Sequence, residues 1–367
     1  MLDISNLKLE LEEAGAFEKC EARTWVKVVF LLSGFGLLTW GAAVLPLAAT
    51  ALLLLVSLLF LVPAVMLGHE GGHGSISNSD FRNSLALYLL FPVMAGKGAQ
   101  YWRHKHNVGH HEHPNIMDSD PDLNLWPMAS NATAYRKSPK IQQWFQRNLQ
   151  GWALWPLTLG LVWSMRYESF AHLARDAWHG RITRGWWVDV FSLFLHYVVW
   201  VVIPIYFLGP LSIAYYVVVW SLVGPIIATI FGPAHMNLPI GTQAPADNLR
   251  LQLLVTRNIN LPGILPYMYI GLGNQIEHHL FPKIPHQRMH IAIPIVQRWA
   301  AANDVPYQTI DWATGWLDMT RYIRDAWQLE TVVLEPASSP VTINRAEPDN
   351  EIAEADEAEQ RITTGAV

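Results

Sequence analysis

The chain has 367 residues, of which 51% are hydrophobic and only 15% charged, and its formal net charge is −5. This balance favours a membrane protein, and the slight negative charge argues against a nucleic-acid partner. The single cysteine, Cys20, excludes an internal disulfide framework and a metal cluster built on several thiolates.

Two long segments that almost lack ionisable residues predict transmembrane helical hairpins. Residues 28–68 contain none and carry Pro46 near their middle, whereas residues 190–234 contain only His196 and carry Pro210 near theirs. A helix rises about 1.5 Å per residue and the hydrocarbon core is about 30 Å thick, so each segment is long enough to cross twice. The predicted transmembrane helices cover residues 28–45, 47–67, 190–208 and 211–233.

The distribution of charge predicts the orientation of these hairpins. All 25 Lys and Arg residues lie outside them, so the positive-inside rule places both termini and the long middle segment in the cytoplasm. We therefore expect an all-α integral membrane fold with four transmembrane helices in two hairpins under a cytoplasmic helical cap. The predicted divisions are a cytoplasmic lead-in (1–27), a membrane domain with its cap (28–328) and an acidic disordered tail (329–367).

The histidines form clusters that predict a metal site in the cap. Each cluster follows or closes a hairpin, and together they comprise His69, His73, His106, His110, His111, His235, His278 and His279. Spacing of i,i+4 brings two imidazoles to one helix face, and adjacent histidines point about 100° apart, which suits two metals. Imidazole binds Zn, Cu, Fe and Ni. Since a zinc site takes only three or four ligands, eight histidines favour two metals, and a redox metal over zinc.

Three sequence strings resemble the histidine boxes of the membrane fatty acid desaturase family. They are HEGGH at 69–73, WRHKHNVGHHEHPN at 102–115 and NQIEHHLFPKIP at 274–285, and the resemblance covers about residues 28–310. The third string is similar to that of acyl desaturases in which Gln replaces the first His, a group that includes front-end enzymes. The resemblance implies that the eight histidines bind two irons and that O2 is the co-substrate. A lipid- or coenzyme A-linked fatty acyl chain would receive the double bond.

The same resemblance extends to the surroundings of the metals. Gln275 opens the third box and is a candidate weak or water-mediated ligand. Carboxylates near the boxes, such as Glu70, Glu277 and Asp118, together with Asp120 and Asp122, are candidates to orient the ligand imidazoles. His286 and His290 lie outside the boxes and are predicted to be on the surface.

The resemblance also implies partners. The fused cytochrome b5 domain of many front-end enzymes is missing from this sequence, so electrons are expected from a separate ferredoxin or from cytochrome b5 and its reductase. The apolar tail of the substrate would enter a tunnel between the hairpins and the cap. Its headgroup would stay at the membrane interface near cations such as Arg82, Lys97, Arg103 or Lys105.

Three other functions fit parts of the pattern. A diiron acyl or carotenoid hydroxylase or ketolase would use the same histidines. A membrane zinc metalloprotease would use HExxH with Glu70 as general base, although Gly71 and Gly72 weaken the helix which that motif requires. A metal transporter would need ligands within the bilayer, where only His196 lies. The sequence leaves the double-bond position, the acyl carrier and the chain length open.

Overall fold

The computed structural model describes residues 4–244 and 248–334, which are mostly helical. The α-helices are α1 Ser5–Glu13, α2 Glu21–Val44, α3 Leu47–His73, α4 Asp80–Tyr88, α5 Ala99–Trp102, α6 Ala132–Lys137, α7 Lys140–Asn148, α8 Gln150–Thr158, α9 Leu161–Trp178, α10 Arg184–Tyr197, α11 Ile203–Leu208, α12 Leu211–His235, α13 Asn248–Leu254, α14 Leu265–Tyr269, α15 Gln275–Leu280, α16 Met289–Ala302 and α17 Trp312–Asp325. Three of them continue as π-helix: α4 over Leu89–Ala95, α5 over Arg103–His110, and α10 over Val198–Val202 into α11.

Four long apolar helices form the two predicted hairpins. The stretches long and apolar enough to cross a membrane are Glu21–Val44, Ala49–His73, Arg184–Leu208 and Leu211–His235. In the first hairpin α2 packs along α3, with Leu31 and Leu61 fully buried in their shared core. Gly209 closes the second hairpin at φ +80°, a conformation that favours glycine.

The C-terminal end of α3 differs from the prediction, because the helix continues through the first histidine box to His73. The two glycines of that box permit close packing. A Cβ on Gly72 would lie 2.0 Å from the Trp102 ring, and one on Gly71 would lie 2.9 Å from the Asn83 carbonyl oxygen. The helix thus continues through Gly71 and Gly72 despite their low helix propensity, because tertiary contacts override intrinsic propensity here.

The cap consists of the segments between and after the hairpins. It contains one short two-stranded parallel sheet, in which β1 (Asn258–Asn260) pairs with β2 (Thr309–Asp311). This sheet is the exception to the predicted all-α fold. A separate apolar core joins α1 to α16, with Leu7 and Leu11 buried against Val296 and its neighbours.

The folded part reaches further toward the C-terminus than residue 328. Val332 exchanges backbone hydrogen bonds with residues 240 and 242, and Leu334 is buried beside Ile116. The predicted boundary at 329 is therefore wrong, because apolar side chains at 332 and 334 pack on the cap before the acidic stretch begins. The remainder of the predicted tail, residues 335–367, lies outside the described residues.

Candidate metal centre

The end of each hairpin and two cap helices bring the eight predicted histidines together. The last two turns of α3 carry His69 and His73, and the final residue of α12 is His235. The π-helical extension of α5 carries His106 and His110, with His111 immediately after it, and α15 carries His278 and His279. Sequence reasoning therefore identified a set of residues that is contiguous in space.

Four of these imidazoles form a first group: His69, His73, His106 and His278. One nitrogen from each lies within 4.8 Å of the others. The Nε2 atoms of His69 and His106 are 2.8 Å apart, and the Trp102 ring stacks on His106 with their centroids 4.9 Å apart.

A second group consists of His110, His235 and His279, whose nitrogens also lie within 4.8 Å of one another. The Nδ1 atom of each ring contacts an oxygen. His110 is 3.1 Å from an Asp120 carboxylate oxygen, His235 is 3.2 Å from the Val255 carbonyl, and His279 is 2.9 Å from the Gln252 amide oxygen. Such contacts fix the tautomer that leaves Nε2 free to bind a metal.

His111 lies between the two groups. Its Nε2 is 3.2 Å from Nε2 of His106 in the first group, and its ring stacks on that of His279 in the second at 4.4 Å between centroids. The adjacent pair His278 and His279 divides between the groups, with an angle of 88° between the ring planes. The side-by-side histidines thus serve both groups, as their spacing predicted.

The electrostatics favour neutral imidazoles in most of this cluster. Burial holds the pKa of His106, His111 and His279 well below the usual imidazole range and lowers the pKa of His278 to about 3. Neutral imidazole is the form that binds a metal. Burial also disfavours protonation of His110, but the Asp120 carboxylate outweighs it and raises the pKa of that ring.

The donor atoms test directly whether a metal fits. The Nε2 atoms of His73, His235, His278 and His279 are buried and have no hydrogen-bond partner among the described residues. Buried polar atoms are nearly always satisfied in native proteins. Unpaired, neutral, converging imidazole nitrogens are the donor set of a transition-metal site, so the residues present fit two metal ions.

The predicted orienting carboxylates behave differently from one another. Asp120 contacts His110 as described, but the backbone at Asp118 has φ +60° and its side chain, 81% exposed, is 3.8 Å from the Lys137 ammonium. The structure does not bring Asp118 to the cluster. Glu277 is fully buried, yet it accepts hydrogen bonds from Asn258 and Tyr307 rather than from an imidazole.

Glu70 lies between His69 and His73 but turns away from both groups. Its two carboxylate oxygens contact the backbone nitrogen and Nδ1 of His286, at 2.6 and 2.7 Å, and Nε2 of His286 is 3.1 Å from the Lys27 ammonium. The prediction of a surface position for His286 is therefore wrong, because this imidazole links α3 to the segment that follows the third box.

Gln275 and His196 occupy positions outside the two groups. Gln275 is buried, and its amide donates to the Leu272 carbonyl at 2.9 Å. His196 is buried between helices, where its two nitrogens lie 3.0 Å from the Val93 carbonyl and 2.8 Å from the Tyr216 hydroxyl. Gln252, which contacts His279, carried no signal in the sequence.

An apolar cavity adjoins the first group. His69, Trp102 and Phe231 line it beside the histidines, and Trp220 and Ile227 of α12 line it further along that helix. A narrow chain of methylenes would match such a lining, because nearly all of its walls are hydrocarbon.

Comparison with known proteins agrees with this geometry. The family model described as fatty acid desaturase matches residues 40–311, which include all eight histidines. The chain belongs to the fatty acid desaturase family. The chain is 26% identical over 264 residues to the Delta(5) fatty acid desaturase fat-4 of Caenorhabditis elegans, with 69% of this chain and 59% of that protein covered.

Two further relatives are also named desaturases. Human fatty acid desaturase 3 is 26% identical over 270 residues, which cover 71% of this chain and 58% of the human protein. The acyl-lipid (8-3)-desaturase of Thraustochytrium sp is 25% identical over 264 residues, which cover 67% and 56%. The chain thus spans less than three fifths of the length of these curated relatives.

Proposed function

We propose that this desaturase introduces a double bond into a fatty acyl chain at a diiron centre, with O2 as co-substrate. One observation carries the proposal: two adjacent groups of buried imidazoles direct unpaired nitrogens toward each other beside an apolar cavity. The names of the relatives, which include Delta(5) and Delta(6) fatty acid desaturases, support an acyl chain as substrate.

The grouping of the histidines suggests which of them would hold each iron. His69, His73, His106 and His278 would bind one iron, and His110, His235 and His279 the other. We assign His111, which lies between the groups, as the eighth ligand. When bound, the two irons would supply the O2-derived oxidant needed to break an unactivated C–H bond, a reaction that protein side chains alone cannot perform.

The remaining residues would position the reactants. The cavity walls would hold two neighbouring methylenes near His69 and exclude water. Asp120, Gln252 and the Val255 carbonyl would keep the imidazoles of the second group in the metal-binding tautomer.

The protease alternative lacks support in this geometry. A zinc protease needs the glutamate of HExxH as a general base next to the metal, whereas Glu70 is engaged with His286 on the other side. Two metal groups also exceed the needs of one zinc ion. A diiron hydroxylase would use the same histidines but would leave a hydroxylated chain, so the product distinguishes the two functions.

Orientation and partners complete the proposal. His73 ends α3 and His235 ends α12, so both histidine-bearing helix ends belong on one side of the bilayer. The positive-inside rule makes that side cytoplasmic, which would give a ferredoxin, or cytochrome b5 with its reductase, access to the irons. The acyl carrier would be a membrane lipid or coenzyme A.

The reaction can be tested in a host that has no desaturase of its own. The chain and a matched His279→Ala variant are expressed there, and total fatty acids are analysed by gas chromatography–mass spectrometry. We expect a new unsaturated chain with the first protein and none with the variant, at equal amounts in the membrane. A hydroxylated chain or an oxidised carotenoid without a new double bond would contradict desaturation.

A further inference from the structure

The apolar cavity beside His69 contains one cationic side chain, that of Lys97. Of the twelve residues that line the cavity, only Lys97 and His69 are ionisable. The Lys97 ammonium lies 5.2 Å from the centroid of the Phe91 ring, which lines the same space. A cation against hydrocarbon walls loses much of its hydration, and this cost is tolerated where a polar partner replaces the water.

The other cations near this site already have partners. The Lys105 ammonium is 3.3 Å from Asp122 and 3.5 Å from Glu168, and Arg82 is 2.7 Å from Glu21. The Lys97 ammonium, in contrast, makes neither a hydrogen bond nor an ion pair with any of the residues in 4–244 and 248–334.

The surroundings of Lys97 also indicate which part of the cavity it occupies. Burial and the positive charge of Lys105 lower the pKa of Lys97 to about 7, and the charges of Asp122 and Glu168 oppose this shift. The side chains of Asp122 and Glu168 are 47% and 40% exposed. The Lys97 ammonium therefore lines the apolar cavity and is also subject to the charges of a partly exposed polar cluster.

We propose that Lys97 binds the carbonyl oxygen at the carboxyl-derived end of the acyl substrate, and so sets the double-bond position from that end. This rests on the proposed desaturase function. An ester and a thioester share this oxygen, which accepts a hydrogen bond from the ammonium, while the methylenes beyond it pass His69 into the apolar part. Lys97 is a binding and specificity-determining residue in this account.

Lys97 and His69 line the same cavity. A carbonyl held at Lys97 would therefore fix which carbons of the chain face the metals beside His69.

The first test replaces Lys97 with methionine, which keeps the length of the side chain and removes its charge. A hydrogen bond to a charged group is typically worth a factor of about 10 to 100 in affinity. In iron-loaded Lys97→Met we expect KM to rise by that factor with kcat changed less than threefold. We also expect double bonds at neighbouring positions, because the carbonyl is no longer held. Lys140→Met removes an exposed cation on α7 and should match the parent protein.

A second pair of variants covers the case in which Lys97→Met loses iron or folds poorly. Lys97→Arg keeps the cation and should keep KM and a single double-bond position, whereas the neutral Lys97→Gln should raise KM and broaden the positions. Equal behaviour of Arg and Gln, or an iron-loaded Lys97→Met that matches the parent protein in both readouts, would overturn the assignment.

A binding assay distinguishes a failure of the Lys97 assignment from a failure of the proposed desaturase function. The parent protein and the Lys97 variants are titrated with tritiated oleoyl-coenzyme A in a scintillation proximity assay. If the parent protein binds the probe but forms no double bond, the desaturase function fails while the affinities still test Lys97. A Kd that is about 10- to 100-fold higher in Lys97→Met than in Lys140→Met supports the assignment, and equal Kd values refute it.

Discussion

Asp120 offers a sharp test of how the second histidine group is held, through the change Asp120→Asn. Its buried carboxylate accepts three contacts: His110 Nδ1 at 3.1 Å, the Asn115 backbone nitrogen at 2.8 Å and the Asp122 backbone nitrogen at 2.9 Å. Asparagine has nearly the same volume but presents an amide NH2 in place of one oxygen. That NH2 faces a donor, either a backbone N–H or His110.

The magnitude follows from these contacts. Losing a charge-assisted hydrogen bond costs about 1.5–3 kcal/mol and leaving a buried N–H unsatisfied about 1–3 kcal/mol, so we expect a loss of about 2.5–6 kcal/mol in the free energy of unfolding. If the amide NH2 donates to Nδ1 of His110, the proton of that ring moves to Nε2 and blocks metal binding. Loss of an orienting partner typically lowers metal affinity about 10- to 100-fold.

Iron retention under a graded chelator measures this effect. Purified protein is dialysed against increasing chelator concentrations, and iron is counted by inductively coupled plasma mass spectrometry. Asp120→Asn should lose iron at a chelator activity about 10- to 100-fold lower than the parent protein. Asp118→Asn makes the same chemical change two residues earlier on an exposed side chain and should behave as the parent. Equal retention in Asp120→Asn and the parent would refute the reasoning.

Three further outcomes follow from the packing and the charges. Gly72→Ala places a methyl group 2.0 Å from the Trp102 ring, so the melting temperature and iron content should fall, with a loss of about 1–3 kcal/mol or more in the free energy of unfolding. Gly36→Ala, which has open space around its Cβ, is the control, and equal losses in the two variants would contradict the packing argument. In chelator-treated protein, the pKa values of the buried imidazoles outside the membrane lie below the unfolded value of about 6.5. The unfolded state therefore takes up more protons, and the melting temperature should fall as pH decreases from about 6.5 toward 3. A constant melting temperature would show that these rings are not buried in the neutral form. Truncation after residue 334 should retain turnover, whereas truncation after residue 328 removes the buried Leu334 and should lower it; equal activity of the two would show that residues 329–334 do not stabilise the cap.

The membrane hairpins and the histidine set could be predicted from the sequence because both depend on local patterns. Absence of charge over 41 residues requires burial in protein or lipid whatever the tertiary structure is. Likewise, i,i+4 spacing places two imidazoles on one face of any helix that contains them. These two local patterns account for the hairpins and for the pairing of His69 with His73 and of His106 with His110.

The residues that orient the histidines could not be predicted, because tertiary geometry decides which side chain reaches which ring. Asp118 and Asp120 are equivalent in the sequence, but the turn at positive φ directs Asp118 to solvent and leaves Asp120 facing His110. His286 lies 216 residues from Glu70 in the chain, so their contact has no local signature. The sequence likewise does not distinguish Lys97 from the other candidate cations, Arg82, Arg103 and Lys105. Only the structure shows that the Lys97 ammonium lines the cavity without an ion-pair partner among the described residues.

The metal content of active protein tests the central claim most directly. Protein purified from cells that form the new double bond is analysed for iron and zinc by inductively coupled plasma mass spectrometry. Two histidine groups predict two irons per chain, and about one in a His235→Ala variant, which loses a ligand of the second group only. Stoichiometric zinc without iron in a preparation that still desaturates acyl chains would contradict the assignment of this site as a diiron centre.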